Sequence, residues 1–310
     1  MQPVILVDLR KQKERTTTMA RTRRMKACGE EAYYHVVSRT VGGEFYLGDV
    51  EKERLLQVIR AYARLYFVEI LGFCLMSNHF HLVVKTRRWE EVTDDEIVGR
   101  VSSHYGLAPD LVRLKDLASL RIKLCDLSEF VRSVKLEFSR WYNRKNRRRG
   151  YFWGDRFKSV LLESGTALAQ CLAYIELNPV RARIVERPEE YRWNSLSFRL
   201  AGKGEFPSWD GMETRDVRAY LALVYEVGKG GRVDSRGREK GRIPKDAEEP
   251  LSLWRHKVRF FTDGLVLGSK AFVLDAYERF SQCIHKKERR AHRAAGVEGV
   301  FSLRRLAAAA

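Results

Sequence analysis

Cysteine is scarce in this sequence and nowhere paired. Five cysteines (Cys28, Cys74, Cys125, Cys171 and Cys283) are scattered over 310 residues with no C-x-x-C spacing. That pattern argues against a disulfide framework or a zinc ribbon and fits a reducing cytoplasm. Long apolar runs are also missing, and no stretch approaches the roughly 18 residues that span a bilayer. Residues 1–10 show no cationic stretch ahead of an apolar one, so a secretory signal is not expected. Nor is there an amphipathic cationic helix with an open apolar face, so a membrane is not an expected partner. Acidic residues are in the minority: 40 Asp and Glu against 58 Lys and Arg, a net charge of +18.

Such an excess calls for a polyanionic partner, most often a phosphate backbone. The charge is clustered, at residues 21–26, 140–149 and 286–293. Apolar residues at 45% and charged residues at 32% still leave enough for a sizeable core.

Along the chain, residues 1–29 read as a basic N-terminal arm that could lie along phosphates. The segment Tyr34-His-Val-Val-Ser-Arg-Thr is β-rich. Residues 49–66 have helical periodicity, with Leu55, Val58, Ile59, Tyr62 and Leu65 on one face. Residues 68–76 and 80–85 predict two strands joined by a tight turn at Ser77-Asn78. Residues 87–125 predict a helical insertion, opened by the capping-box pair Thr93 and Glu96. Its turn at Tyr105-Gly106-Leu107 suits a plain helical hairpin better than a helix-turn-helix. A longer helix starts at Asp126, a strand covers residues 156–163, and a helix runs over 166–177 until Pro179 stops it. This order predicts an α+β, ferredoxin-like fold, a split βαβ (RRM-like) antiparallel sheet with helices on one face. The main domain is then 30–200, a linker region 201–250, and a small C-terminal helical module 251–306, holding Trp254, Phe260, Phe261, Phe272 and Tyr277. Residues 307–310 read as a frayed tail.

Such a fold hosts many functions, so function must come from particular residues. In Met76-Ser-Asn-His79-Phe80-His81-Leu-Val-Val, strand alternation aims His79 and His81 at one exposed sheet face and Phe80, Leu82 and Val84 at the core. Two imidazoles at adjacent same-face positions make half of a divalent-metal site. His35 reads as a packed sheet histidine. In Tyr174-Ile-Glu-Leu-Asn178-Pro179, helical spacing stacks Tyr174 and Asn178 on one face and turns Glu176 away. Asn178 could complete a three-ligand site. Arg144, Lys145, Arg147, Arg148 and Arg149 abut Tyr151, Phe152 and Trp153, a mixture suited to phosphate contact and base stacking, with at least one of the aromatics expected in the core. Arg156 and Lys158, on the following strand, are further candidate phosphate ligands.

The phrase around His79 and His81, the segment Gly150-Tyr-Phe-Trp-Gly-Asp-Arg-Phe-Lys-Ser, and Tyr174-Ile-Glu-Leu-Asn-Pro-Val-Arg-Ala together resemble the REP-associated tyrosine transposases, within the single-tyrosine HUH transposases. The resemblance covers roughly residues 33–197 and implies a DNA strand-transfer enzyme. It implies single-stranded or hairpin DNA as substrate, Tyr174 as nucleophile, and Mg²⁺ or Mn²⁺ held by His79, His81 and Asn178. It further implies a 5′-phosphotyrosine intermediate and work at the nucleoid, and it leaves open a homodimer. Many related transposases carry Gln where Asn178 stands. The alternative is a non-catalytic single-stranded DNA- or RNA-binding protein on an RRM-like sheet, which needs exposed aromatics on its central strands where this chain has His79 and His81.

Overall fold

The structure, a computed structural model, describes residues 25, 30–202, 206–208, 210–211, 216–229, 260–281, 290–294 and 299–304. The basic arm and its charge cluster apart from Met25, most of the linker, Trp254 and residues 307–310 lie outside the described residues. Strand β1 (Ala32–Arg39) leads to helix α1 (Asp49–Leu65), and strands β2 (Val68–Leu75) and β3 (His79–Thr86) form the hairpin. The insertion holds three helices, α2 (Asp94–Tyr105), α3 (Pro109–Arg113) and α4 (Leu117–Leu124). The long helix α5 (Leu127–Lys145) precedes β4 (Lys158–Leu162), α6 (Thr166–Glu176) and the single turn α7 (Asn178–Arg181). Then come α8 (Ser195–Leu200), α9 (Val217–Lys229), α10 (Phe260–Asp263), β5 (Val266–Gly268), α11 (Lys270–Arg279), β6 (His292–Arg293) and β7 (Phe301–Ser302).

The fold is α+β. The sheet order is β2-β3-β1-β4-β5-β7-β6. Within the run β2-β3-β1-β4 each neighbouring pair is antiparallel, the order and directions expected of a split βαβ. The helix ends follow from their caps. The Asp126 carboxylate accepts from the backbone N–H of Ser128 (2.6 Å) and Glu129 (3.0 Å), which opens α5. Thr93 and Glu96 form the expected capping box on α2.

Two features of the layering differ from the sequence expectation. Helices cover both faces of the sheet, not one. Helices α1 and α5 pack on each other, and Phe138 of α5 reaches Trp153, which meets Phe80 of β3 edge-to-face at 5.3 Å. On the opposite face α6 lies against β2 and β3. The sequence signal for this was the near-continuous apolar run of β2, buried at every residue but Glu69, which marks a strand covered on both sides. The C-terminal part, in turn, is not a purely helical module. It adds β5, parallel to β4, and the pair β7 and β6 to the same sheet.

Trp153, expected among the DNA-stacking residues, is only 7% exposed. Its indole N–H donates to the Lys135 carbonyl at 3.0 Å, and Phe138, Phe152 and Phe80 surround its ring. A base has no access to that ring. Tyr151 is the exposed aromatic of the segment, at 87%.

Gly72 sets how closely α6 approaches. A Cβ there would collide with Leu172 of α6 and lie 3.3 Å from Ile175 Cδ1 and Ser195 Oγ. Replacing Gly72 with Ala should therefore cost about 1–3 kcal/mol through overpacking. Trp153→Ala should cost about 3–5 kcal/mol, while Tyr151→Ala should stay within about 0.5 kcal/mol. Thermal or urea unfolding of the three variants checks the order. Equal losses for Trp153→Ala and Tyr151→Ala would contradict the placement of Trp153.

Candidate active site

The site lies on the face that α6 covers. Cross-strand register places Arg39 opposite His79, Val37 opposite His81 and His35 opposite Val83. Paired residues share a face, so Arg39, His79, His81 and His35 line one side together. This face is covered at its His35 and His81 end, contrary to the reading from alternation, while His79 is half-buried and Arg39 exposed. His35 is fully buried, His81 is 3% exposed and Tyr174 is 2% exposed. The Tyr174 ring lies edge-on to His35 at 6.1 Å and to His81 at 6.2 Å. The tyrosine and histidines proposed from separate segments are thus brought together, and His35 joins them.

The hydrogen bonds around the imidazoles decide which nitrogens carry protons. The Phe261 carbonyl oxygen lies 2.6 Å from His35 Nδ1. A carbonyl only accepts, so Nδ1 of His35 is the donor. Burial holds His35 neutral, its pKa lowered to about 4, and its Nε2 is then an acceptor. His81 Nδ1, 2.8 Å from that Nε2, must be the donor. Burial, and after it the neighbouring His79 and His35, push the His81 pKa far below the usual histidine range. His81 is therefore neutral, with its lone pair on Nε2. At His79 a separate device acts. The Asn78 amide N–H₂ donates to the Gly43 carbonyl (2.9 Å), which turns Asn78 Oδ1 toward His79 Nδ1 at 2.6 Å. In its neutral form His79 also carries its proton on Nδ1. When His79 is neutral, both imidazoles carry their lone pair on Nε2, the nitrogen commonly given to a metal once Nδ1 is engaged.

Asn178 sits differently. It opens α7 rather than continuing α6, and Leu177, with helical backbone angles, joins the two. Pro179 falls within the first turn of α7, where its missing N–H costs nothing. The Asn178 side chain donates to the Ile175 carbonyl at 3.1 Å, and its Oδ1 accepts from Arg181 Nη2 at 2.9 Å. Its oxygen is thus already engaged, with one further lone pair to offer. Among the described residues no three His, Cys, Asp or Glu are grouped as a metal cluster. The side chains here that could offer nitrogen donors to a cation are His79 and His81.

Arg181 and Arg39, which also lie at this site, were not singled out in the sequence. Arg181 closes the same Tyr-x-x-x-Asn-Pro-x-Arg phrase, and its guanidinium lies 4.0 Å over the Tyr174 ring. Burial raises the Tyr174 pKa, and Arg181, through its charge and a hydrogen bond, works in the opposite direction. On its other side Tyr174 stacks on Phe261 at 4.4 Å. Glu176, turned away as expected, is fully buried; its carboxylate accepts from Ser195 Oγ (2.6 Å) and Tyr220 Oη (2.6 Å).

The basic turn keeps its exposure. Arg144, Lys145, Arg147 and Arg149 are exposed, while Arg148 is half-buried and lies 4.6 Å over the Tyr46 ring. Lys145 pairs with Glu51 at 2.7 Å. Arg156 is exposed but precedes β4 instead of lying on it. Lys158 is exposed and paired with Asp263 at 2.7 Å, so a phosphate would compete with that carboxylate.

Residues 28–105 match the sequence model of the family described as "Transposase IS200 like". No curated protein matches the chain. Among solved structures, a REP-associated tyrosine transposase bound to a REP hairpin matches with 16% identity, over 61% of this chain and 89% of that one, at a TM-score of 0.42. Across residues 28–105, whose strands carry His35, His79 and His81, the chain is similar to the IS200-like transposases.

Proposed function

We propose that the chain cuts and rejoins single-stranded DNA at hairpin-forming sequences, with Tyr174 as nucleophile. The observation that carries this reading is the meeting of the Tyr174 ring with His81, whose own ring meets His79 at 5.0 Å, on strands similar to those of IS200-like transposases. In the reaction the Tyr174 oxygen forms a bond to phosphorus and the bond to the 3′ oxygen breaks. That oxygen takes up a proton and leaves as a free 3′-OH, and the DNA stays attached as a 5′-phosphotyrosine. The reverse attack rejoins a strand without an external energy source, because the phosphodiester is exchanged and not hydrolysed.

A divalent cation fits the donors: His79 and His81 would hold it through Nε2, with Asn178 as an oxygen ligand. Two imidazoles with oxygen ligands suit Mn²⁺ or Mg²⁺. When bound, such a cation neutralises charge on the phosphate oxygens. Arg181 supports the anionic form of the phenol by charge, against the burial that opposes it. Arg39, on the same face and exposed, is placed to meet a phosphate. The exposed arginines of the 144–149 turn supply sequence-independent affinity. Tyr174 is 2% exposed under Phe261, so DNA reaches the phenol only after the Phe261 ring swings aside or α6 shifts.

Tyr174→Phe should abolish the covalent adduct with a labelled hairpin oligonucleotide while leaving binding within about twofold, since one hydroxyl is a small part of an interface dominated by phosphate contacts. An undiminished adduct on denaturing gels would remove Tyr174 as nucleophile. His79→Ala and His81→Ala should each weaken Mn²⁺ binding in calorimetry and stop cleavage. Unchanged Mn²⁺ affinity in both would sink the metal assignment. Binding to single-stranded DNA should fall steeply with salt, each neutralised phosphate adding about −0.7 to the slope of log affinity against log salt. Removing the charges of Arg144, Arg147 and Arg149 should flatten that slope in a filter-binding series. A flat salt response in the unaltered protein would contradict the nucleic-acid reading.

A further inference from the structure

We propose that His35 is a positioning residue which fixes the tautomer of His81, and that the Phe261 backbone carbonyl is the fixed end of this relay. The proposal rests on the reading of His81 as a metal ligand and says what makes it one.

The relay has a direction because its end is a group with no proton to give. The Phe261 carbonyl accepts from His35 Nδ1 at 2.6 Å. His35 then offers Nε2, and His81 must point its Nδ1 proton into it at 2.8 Å. The two rings are nearly parallel, 14° apart with centroids 5.0 Å apart, so neither turns without losing the contact. His35 is fully buried, and both of its ring nitrogens are engaged. Reversing the tautomer of His81 would set two lone pairs against each other, a mismatch that burial makes costly. Left alone, an imidazole divides its proton between both nitrogens, and a ring protonated on Nε2 offers the site an N–H where a cation needs a lone pair. Partners of this kind around a metal-binding histidine typically carry about 10–100-fold in metal affinity.

The Phe261 ring and carbonyl separate these roles. The ring covers Tyr174, whereas the carbonyl belongs to the backbone. Movement of the ring to admit DNA therefore does not require the relay to break. Residues 226 positions apart in the chain are joined by this one bond.

The test uses the full chain with ¹⁵N-labelled histidine, free of metal. Long-range ¹H–¹⁵N correlation spectra should show His81 protonated on Nδ1 only. His35→Phe, which keeps an aromatic ring but removes the acceptor, should give a mixed or reversed His81 tautomer and about 10–100-fold weaker Mn²⁺ binding by calorimetry. His35→Gln, whose amide can donate to the carbonyl and accept from His81, should restore both. Phe261→Ala, which retains the backbone carbonyl, should leave the tautomer unchanged. A His81 protonated on Nε2 in the unaltered protein overturns the proposal, and that measurement needs no variant to fold. An unchanged tautomer and affinity in His35→Phe overturns it too. If the unaltered protein shows the stated tautomer yet binds no Mn²⁺, the relay stands and the metal reading falls.

Discussion

Helix α6 rests on the histidine face of the sheet at a separation that a side chain at position 72 would prevent. The contact of Tyr174 with His35 and His81 depends on that seating. It is held from the side away from the histidines by Glu176, whose buried carboxylate accepts from Ser195 and Tyr220 and lies 3.9 Å from Arg199. A buried carboxylate is costly unless its lone pairs are met. Burial raises its pKa and Arg199 opposes the rise. Asn194 adds a bond to the Glu176 backbone carbonyl at 2.7 Å. A polar network beneath the helix end thus fixes the height at which Tyr174, two residues earlier, meets His81.

Much of the fold could be read from short-range chemistry. The caps at Asp126 and Thr93 act within one helical turn, so their partners lie nearby in the sequence. Strand alternation in β3 put His79 and His81 on one face for the same local reason. What local patterns leave out is which layer lies over a given face. The alternation of β3 could not tell an open histidine face from one beneath a helix, and the unbroken apolar run of β2 carried that information. Trp153 was ambiguous because an indole beside arginines serves a core or a base equally well until its N–H finds a partner, here the Lys135 carbonyl. The relay through His35 was unreadable in principle, since its anchor is a backbone atom of Phe261, which no side-chain pattern announces. Helix α4 was overlooked although Asp116 caps it in the ordinary way.

The site also balances opposing demands on one phenol. Burial between Phe261 and the sheet keeps Tyr174 protonated, and the guanidinium 4.0 Å over its ring pulls toward the anion. Arg181 is held in place twice, by the Tyr174 carbonyl at 2.6 Å and by Asn178 Oδ1 at 2.9 Å. The Asn-Pro-x-Arg phrase therefore orders a cation against the tyrosine, beyond any service of Asn178 to a metal. A second lone pair on that amide oxygen lets both uses coexist.

The parallel pairing of β5 with β4 and the Phe261 contact have a consequence for how the protein is made. Chains emerge from the ribosome N-terminus first, at about 5–20 residues per second, and early segments begin to fold before later ones exist. Residues 30–200 hold β1 to β4, α6 and every candidate ligand, yet Phe261 follows some tens of residues later. During that interval His35 faces no carbonyl and Tyr174 has no aromatic cover. A nascent chain therefore passes through a stage with an uncovered tyrosine and an unset histidine pair, and the site reaches its finished protonation pattern only when the late segment docks.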